Sequence, residues 1–134
     1  MPLALEIVSP EKLLLSRPVD MVVIPGSEGD MGVLVGHAPM IVMLRGGTIA
    51  LYEGNTITDR LYVAGGFAEV TPERCTILAT EVVPVAEVSR AVGDKRLAEA
   101  EADYASADKN DVATLDLMMD RMQSARAMIE AAGV

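Results

Sequence analysis

One segment gathers the residue types that chemistry needs: Pro25-Gly26-Ser27-Glu28-Gly29-Asp30-Met31-Gly32-Val33-Leu34-Val35-Gly36-His37-Ala38-Pro39. It holds the chain's only histidine, a side chain that titrates near neutral pH, together with carboxylates able to fix a histidine tautomer. In that combination His37 would act as a base or metal ligand, oriented by Glu28 or Asp30. The chain supplies no second His for a common ligand set and places no Ser or Cys beside His37. Catalytic and metal-binding residues are therefore not expected. Two other readings demand less. In one, Gly26, Gly29, Gly32 and Gly36 make tight turns and His37 caps one of them through a backbone hydrogen bond. In the other, Glu28 and Asp30 protrude on a glycine-framed turn and meet a polar or basic partner surface.

The remaining reactive types are weaker candidates. Gly46-Gly47 and Gly65-Gly66 lack phosphate-loop spacing and open no helix, so they read as turn or bulge residues. Cys75, the only cysteine, lies in a strand-like run and is expected to be a buried, inert thiol. One thiol allows neither an intrachain disulfide nor a zinc knuckle, and it fits a reducing compartment. Met118, Met119, Met122 and Met128 could form an adaptable binding surface, although core packing is the commoner use of helically spaced methionines.

These residues must be positioned by two halves with different grammar. Up to about Val83, short apolar runs are broken by turn residues such as Pro25-Gly26, Gly54-Asn55 and Pro72. Leu3, Leu5 and Ile7 alternate with Ala4 and Glu6, and Ile57, Leu61 and Val63 are expected to share one face. Gly54-Asn55 fits a tight hairpin turn. Many short antiparallel strands imply a sandwich or barrel. After Pro84 there is no further proline, and helix grammar takes over. A helix over about Val85 to Ala107 is expected to present Ala91, Ala98, Ala102 and Ala105 as a stripe. Asp111 fits the N-cap of a second helix with Leu115, Met118, Met122, Ala125, Ile129 and Ala132 on one side. The domain reading is a sandwich over 1–84 and an antiparallel helical hairpin over 85–134 that docks on the sandwich or on a partner.

Composition narrows the function. The chain has 134 residues, is 51% hydrophobic with four aromatics, and carries a formal net charge of −9. Nucleic-acid binding needs a basic surface, so such a partner is not expected, and an acidic chain also avoids anionic lipid. No apolar stretch approaches the ~20 residues of a membrane span, so no direct membrane insertion is expected. The N-terminus lacks a basic region followed by an apolar run, so no targeting segment is expected.

The whole chain resembles the epsilon subunit of bacterial F-type ATP synthases. Gly26-Ser27-Glu28-Gly29-Asp30-Met31-Gly32 followed by Gly36-His37-Ala38-Pro39 is similar to that family's GSEG-x-x-G and GHAP signature. Tyr62-Val63-Ala64-Gly65-Gly66-Phe67-Ala68-Glu69-Val70 resembles its second signature, Y-x-x-GG-x-x-E-V. The resemblance implies a ten-stranded antiparallel β-sandwich followed by a two-helix hairpin, in a non-catalytic central-stalk subunit. It implies the gamma subunit and the c-subunit ring as partners, with the alpha/beta catalytic head a further partner of the helices. It also implies coupling of proton flow to ATP synthesis, at the cytoplasmic side of the bacterial inner membrane. The implied subunit-interface residues are Glu28, Asp30, Met31 and His37, with the acidic Glu28 and Asp30 toward the c ring and His37 near the stalk.

Several members of that family carry an ATP-binding motif at the start of the first helix: Leu or Ile, Asp, two residues, Arg, Ala. Here Ala86-Glu87-Val88-Ser89-Arg90-Ala91 keeps Arg90 and Ala91 but substitutes Ala86 and Glu87, so no cofactor is expected. The family's hairpin can also block hydrolysis, helped by basic residues on the last helix. From Asp111 onward this chain offers Arg121 and Arg126 against Asp111, Asp116, Asp120 and Glu130, so weak or absent inhibition is expected.

Overall fold

The computed structural model describes residues 2–133. Ten strands come first: β1 (Leu3–Val8), β2 (Leu13–Val19), β3 (Met21–Gly26), β4 (Gly29–Val33), β5 (Met40–Leu44), β6 (Gly47–Glu53), β7 (Thr56–Val63), β8 (Gly66–Val70), β9 (Arg74–Leu78) and β10 (Val82–Pro84). A 3-10 turn over Val85–Glu87 leads to α1 (Arg90–Ser106) and α2 (Val112–Ala132). The strands run in the order β10-β7-β6-β3-β5-β8-β9-β1-β2, with β4 pairing β3. At the corner β3 meets β5 through the register pair Gly26↔Leu44. Both arms then fold onto one core, with Leu3, Leu5, Ile7, Cys75 and Ile77 from one side and Val22, Ile24, Ile49, Leu51 and Val63 from the other. This is the expected sandwich.

It departs from the all-antiparallel expectation in one place: β1 and β9 are parallel, from Ala4↔Arg74 to Val8↔Leu78. Parallel neighbours need a long connection, and the strands between them supply it. Alternation reports burial well in β1, where Leu3, Leu5 and Ile7 are fully buried. In β7 it does not. Leu61 and Val63 are buried, but a register shift between Leu51 and Tyr52 separates Ile57 from them, and Ile57 is only half-buried. The Gly54-Asn55 hairpin forms between β6 and β7, with Gly54 at φ +62. Only the first turn residue takes positive φ, as a type II′ turn requires.

The first helix is shorter than expected, because Ser89 caps it by accepting a hydrogen bond from the Val92 amide. Its buried residues are Gly93 and Ala100, while Ala91, Ala98, Ala102 and Ala105 are exposed. So many alanines leave the periodicity without contrast. The true seam is marked by Gly93, where an added Cβ would lie 2.9 Å from Ile129 Cγ1. Asp111 caps α2 as expected, accepting from the Thr114 amide at 3.1 Å. Of the expected α2 stripe, Met118 and Ala125 are buried and the rest half-buried. A second α2 face, Ala127, Met128 and Ala131, packs with Tyr62, Ala64, Val85 and Val88.

Polar bonds reinforce that docking. Arg96 of α1 forms a two-pronged pair with Glu81 at 2.6 and 2.7 Å. Ser124 Oγ donates to the Ala64 carbonyl, and Tyr62 Oη donates to the Ser124 carbonyl, both at 2.8 Å. Gln123 bonds both ways with the Gly46 backbone.

Candidate functional site

The acidic segment folds as the tip of the β3–β4 hairpin. Gly26 pairs with Gly29, so Ser27 and Glu28 occupy the turn, and Gly29 at φ +147 takes a conformation that favours glycine. Glu28 is exposed and Asp30 is next to the tip, opposite Pro25. The Asp30 carboxylate accepts from Arg45 Nη2 at 2.6 Å, and Arg45 Nη1 donates to the Gly26 carbonyl at 2.5 Å. Met31 turns inward and packs against the sandwich core.

His37 lies in the β4–β5 connection. Its amide donates to the Leu34 carbonyl at 3.2 Å, and Nδ1 bonds the Ala38 carbonyl at 2.9 Å, which places a proton on Nδ1. This is a turn-stabilising histidine. No carboxylate hydrogen-bonds its ring among the described residues, and these residues contain no group of three His, Cys, Asp or Glu able to hold a metal. Cys75 is fully buried, and burial pushes its thiol pKa up to about 11, which disfavours the reactive thiolate.

Between the acidic tip and the His37 turn runs an apolar strip that the sequence reading did not assign to an interface. Ile41 and Met43 on β5 are 68% and 60% exposed, Met40 is 41% exposed, and Phe67 lies across from Met43 on β8 at 38%. Ile41 and Met43 share the outer face because side chains two apart in a strand do so, leaving Val42 and Leu44 to the core. The Ser27 amide donates to the Met43 carbonyl at 2.8 Å, so the tip abuts the strip's end. The five residues of β5 separate the tip from the His37 turn by about 13 Å at ~3.3 Å per residue. Glu28, Asp30 and Met31 share a shallow groove of about 410 Å³ with Met40, Ile41 and Met43. The available signal was the unbroken apolar run Met40–Leu44, where a buried strand beside solvent would have alternated.

Glu87, Arg90 and Ala91 are exposed, and the Arg90 guanidinium stands 4.0 Å from Asp94 rather than with Glu87. A separate cleft of about 460 Å³ lies between hairpin and sandwich, lined in part by Tyr62, Arg96, Asp120 and Arg121. Its arginines are already engaged, Arg96 by Glu81 and Arg121 by Asp103. Burial first, and then the Glu81 charge, push the Tyr62 phenol up to about 12.

The ten-stranded sandwich with a two-helix hairpin docked on its side defines a β-sandwich-plus-hairpin class of protein. Residues 2–85 match the family described as ATP synthase, Delta/Epsilon chain, beta-sandwich domain. The chain is 67% identical over 129 residues to the ATP synthase epsilon chain of Granulibacter bethesdensis, covering 96% of each chain. It is 54% identical over 133 residues to that of Gluconacetobacter diazotrophicus, covering 99% of this chain and 94% of the relative. A chain in the Euglena gracilis mitochondrial ATP synthase structure containing OSCP, F1 and c-ring superposes with a TM-score of 0.78 at 29% identity, covering 99% of this chain and 82% of that one. A chain in the Tetrahymena thermophila mitochondrial ATP synthase central stalk/c-ring structure shares the fold, with a TM-score of 0.66 at 13% identity and coverage of 98% and 97%. This chain belongs to the ATP synthase epsilon chain family, whose members are non-catalytic subunits of the complex. No described helix is long and apolar enough to cross a membrane.

Proposed function

We infer that this chain is a central-stalk rotor subunit that binds the gamma subunit and the c ring, coupling proton flow to ATP synthesis. The observation that carries this is the exposed strip of Met40, Ile41, Met43 and Phe67 beside the charged Glu28–Asp30 tip. An apolar centre with a charged rim is the anatomy of a protein interface. The strip provides burial and the acidic tip provides orientation toward polar or basic loops of the c ring. The Euglena gracilis assembly, with F1 and c-ring together, supports this partner set. In a bacterium the subunit works at the cytoplasmic side of the inner membrane.

The hairpin inhibits hydrolysis weakly or not at all, since α2 is acidic and Arg121 is already held by Asp103 at 3.0 Å. It binds no nucleotide, because Ala86 and Glu87 stand in place of the motif's aliphatic residue and aspartate and Arg90 is exposed 4.0 Å from Asp94. Size-exclusion chromatography of this chain with a gamma-containing catalytic head from the same source tests the stalk assignment. Co-elution at one copy per head is expected; clean separation at micromolar concentration would remove it.

A further inference from the structure

Arg45 is the only Lys or Arg between Arg17 and Arg60, and it stands where three parts of the molecule meet. Its guanidinium holds the Asp30 carboxylate at 2.6 Å and the Gly26 carbonyl at 2.5 Å, both in the β3–β4 hairpin. Its own amide donates to the Pro25 carbonyl at 2.9 Å. The next residue, Gly46, offers its amide to Gln123 Oε1 at 2.9 Å and its carbonyl to Gln123 Nε2 at 2.6 Å. The β5–β6 corner is therefore fastened on one side to the acidic tip and on the other to α2. Asp30, Arg45, Gly46, Gln123, Arg126 and Glu130 line one continuous groove of about 430 Å³.

We propose that Arg45 couples the acidic tip to the docking of the helical hairpin, so that drawing Asp30 away from Arg45 loosens α2 from the sandwich. Gln123 can bond Gly46 both ways only while the corner presents its amide and carbonyl in one orientation. The Asp30–Arg45–Gly26 fork sets that orientation from the opposite side. A cationic group that engages Asp30 competes with Arg45 for the same carboxylate, removes one prong of the fork and weakens the Gly46 clamp. The Arg45–Gly46 corner is the contact that the tip and α2 share. The coupling is intramolecular, so it holds in the isolated chain whatever partner meets the tip.

The Gly46 amide reports the clamp directly by hydrogen exchange. In the full-length chain, Asp30→Asn is expected to speed Gly46 exchange about two- to fivefold, the scale of a partly exposed ion pair. Arg45→Ala should speed it at least as much, and the Asp30→Asn/Arg45→Ala double variant no more than Arg45→Ala alone, because both cut one link. Unchanged Gly46 exchange in Asp30→Asn overturns the proposal, as do effects that multiply in the double variant. Equal acceleration at Ile77 in the sandwich core overturns it too, since the change would then be global.

Discussion

Gln123 pairs both atoms of its side-chain amide with the backbone of Gly46, giving and receiving a hydrogen bond across the joint between α2 and the sandwich. The pairing needs a glycine there: a Cβ on Gly46 would lie 2.6 Å from both Cα and Oγ of Ser124. Gln123→Ala should weaken docking by about 1–2 kcal/mol, the net value of two partly buried hydrogen bonds. Gly46→Ala should cost about 1–3 kcal/mol through overpacking. Amide exchange at Met128 and Ala131 should rise in both variants while Ile77 stays protected.

Tyr62 makes docking sensitive to high pH. Its phenol is pushed to about 12 by burial and by Glu81, and it donates to the Ser124 carbonyl. A folded-state pKa above the unfolded value near 10 means the contribution is fully present below about pH 10 and is lost as pH rises through 12. Because the phenol borders the cleft between hairpin and sandwich, the effect should be roughly 1–2 kcal/mol. Urea unfolding between pH 9 and 11.5 should show the wild type losing that much more stability than Tyr62→Phe.

Much of the sandwich was legible because β1 buries one face and wets the other, so Leu3, Leu5 and Ile7 announce the core by spacing alone. The hairpin was legible as two helices because Asp111 is a strong cap, yet its packing was not. Two faces of α2 are buried, one on α1 and one on the sandwich, and a single stripe of period 3.6 describes only the first. In α1, alanine on every side hid Gly93 and Ala100. At the proposed binding surface, the glycine-framed turn pointed to Glu28 and Asp30. The pairing of Asp30 with Arg45 and the Met43–Phe67 neighbourhood depend on strand register across the sheet, which local spacing does not encode.

The apolar strip makes a prediction that separates binding from stability. Ile41 and Met43 are 68% and 60% exposed, so little core is lost when they change. Ile41→Asp and Met43→Asp should alter folding stability by less than about 1 kcal/mol. Each should nevertheless weaken association with the gamma-containing head by about tenfold or more, because a charge would be desolvated in an apolar contact. Calorimetric titration against the head, beside thermal unfolding of the free variants, checks both. Equal affinity for variant and wild type would remove the strip from the interface.

The core cluster of the sandwich is built entirely from residues between Leu3 and Val82, so a chain ending at Pro84 keeps that core and the acidic tip. It loses Tyr62's cover, which comes from α2. An extended hairpin would present Asp111, Asp116, Asp120 and Glu130 to the catalytic head with only Arg121 and Arg126 as cationic contacts. It would also have to break the Arg96–Glu81 fork, the Gln123 clamp and the Tyr62–Ser124 bond. Both terms oppose extension, the first through the few cationic groups available to hold it there and the second through bonds left unmade. ATPase rates of the assembled enzyme carrying the full chain or the chain ending at Pro84 should therefore agree within about twofold, a barrier difference under ~0.5 kcal/mol. A several-fold rise on removing the helices would show that α2 reaches the head despite its charge. Isothermal titration of the free chain with ATP should likewise give no heat of binding up to millimolar concentration, and Arg90→Ala should leave that unchanged.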